Sequence, residues 1–506
     1  MLARKTFLMM GSKVLMSLMG YISWYFIANH ILQGYVGSIG FALAYIGMMG
    51  LFADLGYSTA HIKKVSEGKD LGTCIGTYLT IKVVLLSATV ILILLSIWFY
   101  QGVYPKEGFE SAYDRPVIYI LLFWYVLTNL AQIPMNTFMG KQLVAKAELG
   151  LLLSTFVQSA LTIVLVLHYN DVYALSLTYV AGAIVLFSVS FFLLRGIRIK
   201  RPSWSLFMEY TKFGLPLMIT VTAAPIVAFI DKIMIKFFWE NADVAIYWNA
   251  QKFAQLPDEL TAVVTNILFP TFSSLIAIGS IGTVKRLTRV AEKYLSLFII
   301  PLTFTLAALS KPFIVIFSDV SYDTSAGVFF FLMGWVTMRA LTRPYVAHFV
   351  SFNKTSYALF LTLIYVPLNV FFNIIFIPDS FLGIRLLGLG PVGAAIATFI
   401  SAIINYILTR ALSHRLVKIG VNTIVIRYLV AGGISACTLF LFQELLFEIT
   451  RFYELIGFAA LSLLSFIVIL VVIKGLTKKD ISFIMNTMDI KKMMNYITME
   501  LFERDR

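Results

Sequence analysis

What most constrains this chain is the recurrence of apolar runs about 20 residues long, the length a helix needs to cross the hydrocarbon core of a bilayer. Such runs begin near Phe7, Ile39, Thr73, Pro116, Leu151, Val172, Phe213, Ala245, Tyr294, Val328, Ser356, Val392, Ile426 and Glu454. They predict an all-α, polytopic membrane protein with about fourteen transmembrane helices. The second and eighth runs have the least defined ends, because polar residues interrupt them. Composition agrees: 59% of the residues are hydrophobic and only 13% charged, about half the charged share of a soluble domain. Too little polar surface remains to wrap a water-soluble body.

The net charge of +14 does not point to nucleic acid, because Lys and Arg cluster in short connectors between the apolar runs, as cytoplasmic loops require. Arg4 and Lys5 hold the start of the first run inside. Lys63, Lys64 and Lys69 fall in one set of connectors, as do Lys141 and Lys146, Arg195 to Arg201, Lys285 to Lys293, Lys354, and Arg415 with Lys418. The alternate set is poorer in cations and carries Glu107, Glu110, Asp319, Asp323 and Asp379. The expected location is the plasma or inner cell membrane with both termini cytoplasmic. The first run is too long for a signal-peptide core and lacks a small-residue cleavage site, so it reads as a retained helix. Cys74 and Cys437 read as buried small hydrophobes.

No connector is long enough to form a domain. The basic stretch Arg195 to Pro202 is the expected boundary between two halves, which share a faint likeness between the first hairpin and the one beginning Lys212-Phe-Gly-Leu-Pro216. Six spans per half would make parallel repeats about an axis along the membrane normal. The expected organisation is a six-helix lobe over 1–200, a second over 201–420, two further helices over 421–475 and a cytoplasmic amphipathic tail over 476–506. The tail alternates Ile and Met with Lys and Asp, as a helix lying on an interface does.

Enzymatic motifs are missing. No G-x-x-x-x-G-K-[ST], G-x-S-x-G or H-E-x-x-H occurs, and the five histidines have no metal-ligand spacing. The chain is therefore not expected to be an enzyme, or to need a metal or bound cofactor. What it does carry is charge inside the spans: Lys13, Asp54, Lys82, Asp231, Lys232, Lys252, Arg339 and Arg343. A charge at a span centre costs about 2.5–3.5 kcal/mol on the insertion scale, so these residues must pair or line a polar interior. Asp231 and Lys252 could neutralise each other, Asp54 could close its helix end against Lys63 or Lys64, and Lys13 could snorkel to the inner surface. Lys82, Arg339 and Arg343 have no acidic residue nearby in sequence, and the two arginines, four apart, share a helix face. Surplus cations suit an anion, and guanidinium forks suit phosphate. Asn369 and Asn373 also share a face, open to sugar hydroxyls or to a neighbouring helix. Prolines inside several spans, Pro216 and Pro225 among them, each remove a helical hydrogen bond.

Three stretches occur in order along the chain: Leu51-Phe-Ala-Asp54-Leu-Gly56-Tyr; Phe213-Gly-Leu-Pro216 leading to Asp231-Lys232 and Ala245-Ile-Tyr-Trp-Asn-Ala-Gln-Lys252; and Pro367-Leu-Asn369-Val-Phe-Phe-Asn373 leading to Gly390-Pro-Val-Gly393-Ala-Ala. In these the chain resembles the polysaccharide and lipid-linked oligosaccharide flippases, of O-antigen type, in the multidrug/oligosaccharidyl-lipid/polysaccharide exporter superfamily. The resemblance implies two six-helix lobes, a central cationic cavity and alternating access. The expected function is to move a polyprenyl-diphosphate-linked oligosaccharide from the cytoplasmic to the outer leaflet. Lys82, Lys252, Arg339 and Arg343, with Lys13, would neutralise the diphosphate. Membrane potential would supply the drive, or a Na⁺ or H⁺ cycle through Asp231. The expected partners are membrane lipid, that substrate and polysaccharide assembly proteins. The competing expectations are a cation-coupled multidrug exporter of the same fold and, from another class, a membrane glycan polymerase or ligase.

Overall fold

In the computed structural model, which describes residues 2–103, 111–352, 354–447, 449–477 and 480, the apolar runs are helices. The first eight are α1 (Leu2–His30), α2 (Gln33–Met49), α3 (Tyr57–Ser66), α4 (Leu71–Val103), α5 (Asp114–Gly140), α6 (Val144–His168), α7 (Val172–Leu194) and α8 (Trp204–Phe238). The rest are α9 (Asn241–Ala277), α10 (Ile281–Ala308), the short α11 (Ser310–Phe317), α12 (Ser325–Ser351), α13 (Thr355–Phe376), α14 (Gly390–Val417), α15 (Thr423–Leu446) and α16 (Phe452–Val472). Eleven helices among the described residues are long and apolar enough to cross a membrane. α1, α8 and α9, at 29, 35 and 37 residues, have the length as well and carry more charge. These three complete the fourteen crossings expected from the sequence. The all-α class holds, apart from a two-stranded hairpin, Ser380–Phe381 with Ile384–Arg385, in the connector before α14. Its two turn residues, Leu382 and Gly383, have φ of 50° and 80°, the left-handed pair that a tight hairpin needs.

By packing, the chain divides between Ala245 and Ile246 into two compact units. In the first, α2 packs on α5 and α8, and α1 and α7 pack on α6. In the second, α14 packs on α12 and α13, and α10 packs on α12 and α15. The division lies downstream of the basic stretch at 195–202, because α8 packs against α2 and α3. Cys74 is buried as expected, but Cys437 is exposed on α15. The amphipathic tail expected over 476–506 lies, beyond its first residues, outside the described residues.

Helix starts are fastened by local chemistry. The Asp171 carboxylate accepts from the Ala174 N–H at the start of α7, and the Glu454 carboxylate accepts from the Thr450 and Arg451 N–H groups at the start of α16. Small residues set the closest approaches. Ala394, Ala395 and Ala397 on α14 are fully buried, and a Cβ on Gly393 would collide with the Phe376 carbonyl of α13.

The second apolar run is one span in sequence but two helices in space. After α2 comes a 3-10 turn over Gly50–Ala53, then Leu55 and Gly56 at φ of 47° and 81°, and α3 begins at Tyr57. Gly56 is required twice. Its φ is left-handed, and a Cβ there would stand 2.5 Å from the Gly214 carbonyl of α8. Broken membrane helices are tolerated where their freed backbone is buried in protein or lines a polar space, and this break presents Asp54.

Candidate functional site: intramembrane cations and their carboxylates

The first unit buries its charge at the break between α2 and α3. Lys82 of α4 is 1% exposed, and its Nζ stands 3.5 Å from Asp54 Oδ1 and donates to Gln132 Oε1 on α5 at 2.9 Å. Asp54 also accepts the backbone N–H and the hydroxyl of Ser58, whose Oγ lies 2.7 Å from the Tyr78 hydroxyl. Asn136 donates to that phenol at 3.0 Å. The expectation that Lys82 lacks a carboxylate is therefore corrected. Its partner is 28 residues away in sequence and is brought to it by the helix break. The expected closure of Asp54 against Lys63 or Lys64 is corrected with it: Lys63 and Lys64 pair with Glu67, and Lys64 also with Glu209 of α8 at 2.8 Å.

The second unit holds two guanidiniums around one carboxylate. Arg343 of α12 donates through Nη2 to Asp258 Oδ1 of α9 at 2.6 Å, through the same nitrogen to the Asp258 carbonyl at 3.0 Å, and through Nε to Thr261 Oγ1 at 2.8 Å. Arg339 Nη1 stands 3.4 Å from the other oxygen of Asp258. The spacing of four residues does place both arginines on one face of α12. Asp258 corrects the expectation that they have no acid to pair with. The two arginines differ in freedom. The Arg343 side chain is 15% exposed, whereas that of Arg339 is 44% exposed and rests over the Trp335 ring at 4.8 Å. One carboxylate cannot neutralise two guanidiniums, so the cluster keeps a formal unit of positive charge, carried by its more accessible member.

The remaining expected residues are placed as follows. Lys13 is exposed on α1 with no ion pair among the described residues; its neighbour Ser12 donates to Glu148 of α6 at 2.9 Å. Asp231 and Lys232 are buried on α8, in the first unit, whereas Lys252 is partly buried on α9, in the second. Asn369 and Asn373 on α13 are fully buried. Asn369 donates to Thr398 Oγ1 of α14 at 3.0 Å, and Asn373 donates to Asn369 Oδ1 at 3.2 Å. Of their two open roles, these contacts serve helix packing.

Several buried charges escaped the sequence reading. Asp114, at the first turn of α5, is fully buried and pairs with Lys236 of α8 at 3.1 Å. It also accepts from Ser38 of α2 at 2.6 Å and Asn241 of α9 at 2.8 Å. Glu292 of α10, fully buried, accepts from Tyr345 of α12 at 2.6 Å and pairs with Arg410 of α14 at 2.7 Å. The signal for them was available, since each acid lies in or beside an apolar run. Counting intramembrane acids as strictly as the cations would have found Asp258, Asp114 and Glu292. Among the described residues no group of His, Cys, Asp or Glu is arranged to hold a metal ion.

Comparison with known proteins bears on the fold and the family. By structure the chain is similar to the lipid II flippase MurJ in its inward closed conformation, with a TM-score of 0.72 and 17% identity over 91% of this chain and 98% of that one. It is also similar to an inward-facing multidrug resistance MATE transporter of the MOP superfamily, with a TM-score of 0.65 and 16% identity over 80% and 96%. A MOP superfamily transporter from Pyrococcus furiosus, described as having reversed polarity of its binding pocket, gives a TM-score of 0.53 at 16% identity over 80% and 95%. A comparison with the curated proteins finds no sequence match. These likenesses show a shared fold, that of the MOP transporters. The family model described as "Polysaccharide biosynthesis protein" matches residues 2–276, more than half of the sequence, and the chain belongs to that family.

Proposed function

We propose that this protein is a flippase that carries a polyprenyl-diphosphate-linked oligosaccharide from the cytoplasmic to the outer leaflet by alternating access. The observation that carries this reading is the Asp258–Arg339–Arg343 cluster, whose residual positive charge sits on a half-exposed arginine in a membrane helix. A cation there is costly unless an anion comes to meet it, and a planar guanidinium fork matches phosphate oxygens in pairs. Arg343 is spent on Asp258 and Thr261, so it serves as the positioning residue. Arg339 is the group that would touch the diphosphate. In the first unit Lys82 is balanced by Asp54 and contributes by holding the helix break in shape.

Family membership and the fold support a transporter rather than an enzyme. Both termini in the cytoplasm, the lobes over 1–200 and 201–420, and drive from the membrane potential or from a Na⁺ or H⁺ cycle through Asp231 belong to this proposal. An outward anion gains about 2.3 kcal/mol per charge per 100 mV. Polysaccharide assembly proteins are the proposed partners.

The test is leaflet accessibility of a fluorescent polyprenyl-diphosphate oligosaccharide in proteoliposomes. Arg339→Ala is expected to slow flipping at least tenfold, about 1.4 kcal/mol of lost anion binding, while leaving thermal stability near wild type. Arg339→Lys is expected to restore part of the rate, since it returns the charge without the fork. Wild-type protein that leaves this lipid in place yet exports cationic dyes down an ion gradient would establish the multidrug exporter instead.

A further inference from the structure

The basic stretch at 195–202 takes no part in the site above, yet it is firmly placed. Its end forms a strap across the first turns of α4: the Lys200 N–H donates to the Gly72 carbonyl at 3.1 Å and the Ser203 N–H to Thr77 Oγ1 at 3.0 Å. The Lys200 ammonium reaches Asp70 at 2.7 Å. This closeness depends on glycine. A Cβ on Gly72 would meet the Arg198 carbonyl at 2.5 Å, and one on Gly76 would collide with the Lys200 carbonyl. Beside the strap opens a groove of about 470 Å³ within the first unit, walled by Ile81, Val84 and Leu85 of α4 and by Trp204 and Phe207 of α8.

The groove is suited to hydrocarbon. Three of the hydroxyls along it are already engaged, Thr77 by the Ser203 N–H, Thr80 by the Gly76 carbonyl and Tyr57 by Thr211, and the rest of the lining is mostly apolar, so a polar ligand gains little there. Along α4 it runs from Thr77 to Leu85, about 12 Å at the helical rise. Its mouth is suited to an anion. Arg201 directly precedes the lining residue Pro202, and Arg198 lies three residues before it; both are exposed and have no ion pair among the described residues, and the positive end of the α8 dipole opens at Trp204. Trp204 is 73% exposed and stacks on Phe207 at 5.0 Å, the posture of an indole at a membrane–water interface.

We propose that this groove holds an acyl chain of an anionic phospholipid of the bilayer, with the headgroup phosphate against Arg201 and Arg198. The apolar walls take the chain, and the charge at the mouth selects an anionic headgroup over a zwitterionic one. The inference depends on the chain being a membrane protein and not on which substrate it moves.

Native mass spectrometry of the purified protein, delipidated and then supplied with phosphatidylglycerol or phosphatidylcholine of identical chains, tests it. Wild type is expected to retain one phosphatidylglycerol and to favour it over phosphatidylcholine. Arg201→Gln is expected to weaken that retention about fivefold, the share of one basic residue at an anionic surface. Val84→Trp, which fills the groove from a position 61% exposed, is expected to abolish it. Val164→Trp, on α6 and 55% exposed, is the control that keeps the lipid. Equal retention of both lipids, or retention unchanged in Arg201→Gln and Val84→Trp, overturns the proposal. So does displacement of phosphatidylglycerol by equimolar polyprenyl phosphate, which would make the groove a substrate-tail site. Flipping activity is not the readout, so failure here leaves the flippase reading intact.

Discussion

Replacing Asp54 by Asn isolates the cost of a buried charge left without its partner. The Lys82 ammonium is 1% exposed and 3.5 Å from Asp54; at an effective dielectric of about 20, that separation corresponds to an attraction of about 5 kcal/mol. In Asp54→Asn the ammonium keeps only neutral amide oxygens, that of Gln132 and the one the substitution leaves at residue 54, and no counter-charge; the expected loss of stability is about 3–5 kcal/mol, as for other broken buried pairs. The converse change should be milder. In Lys82→Met the Asp54 side chain is 31% exposed and still accepts two hydrogen bonds from Ser58, so the expected loss is about 1–3 kcal/mol. The double variant removes both charges and should be more stable than Asp54→Asn alone. Denaturant titration in mixed micelles gives the order, and the half-life of the folded protein in detergent at fixed temperature gives a second reading. Lys82→Met losing as much as Asp54→Asn, or a double variant that loses the sum of the two, would refute the reasoning. Either result would mean that leaving the Lys82 ammonium without its partner charge does not decide the cost.

Two further outcomes are expected. Gly37→Ala should cost about 1–3 kcal/mol by overpacking, because its Cβ would run into the Asn241 backbone carbonyl; Gly20→Ala, with nothing within 4 Å of its Cβ, should be neutral or slightly stabilising in the same unfolding assay. The strap that Asp70 ties down should respond to pH in one direction only. The Lys200 ammonium and the Thr73 hydroxyl and N–H hold the Asp70 carboxyl well below the usual carboxylate range. Its contribution is therefore complete above the ordinary carboxylate pKa and is lost only as pH falls below it through the depressed value. Amide exchange at residues 200 and 203, whose N–H groups bond to Gly72 and Thr77, should stay slow from neutral pH down to the ordinary carboxylate range, with Lys200→Ala releasing it at every pH. Release beginning near pH 6 in the wild type would contradict the assignment.

How much could be read in advance differs between fold and site. The fourteen crossings were legible because each apolar run is a local property with a length set by the bilayer. α1, α8 and α9 were counted from the sequence despite their charges, and they are helices of sufficient length. The close packing of α14 was legible too, since Gly393, Ala394 and Ala395 carry at most a methyl group to hold a neighbour away. The break after Met49 was not legible as a break. Apart from Asp54, Leu51 to Gly56 could continue a helix, and only the left-handed φ of residue 56 and the closeness of the Gly214 carbonyl show why it must be glycine.

The site was half legible. Lys82, Arg339 and Arg343 stood out because a charge in an apolar run is costly wherever the run lies. Their partners did not, because salt bridges of this kind join helices. Asp54 is 28 residues from Lys82, and Asp258 is 81 and 85 residues from the two arginines. The sequence by itself determined that this chain lives in a membrane, how many times it can cross, and which cations needed an explanation. Hydrophobicity and charge act residue by residue, and no neighbour changes their sign. Only the tertiary structure decided which cations are neutralised, that Arg339 keeps its charge accessible, and that the basic strap lies across α4 beside an apolar groove. Those outcomes depend on distances of a few ångströms between segments far apart in the chain, and no local property encodes them.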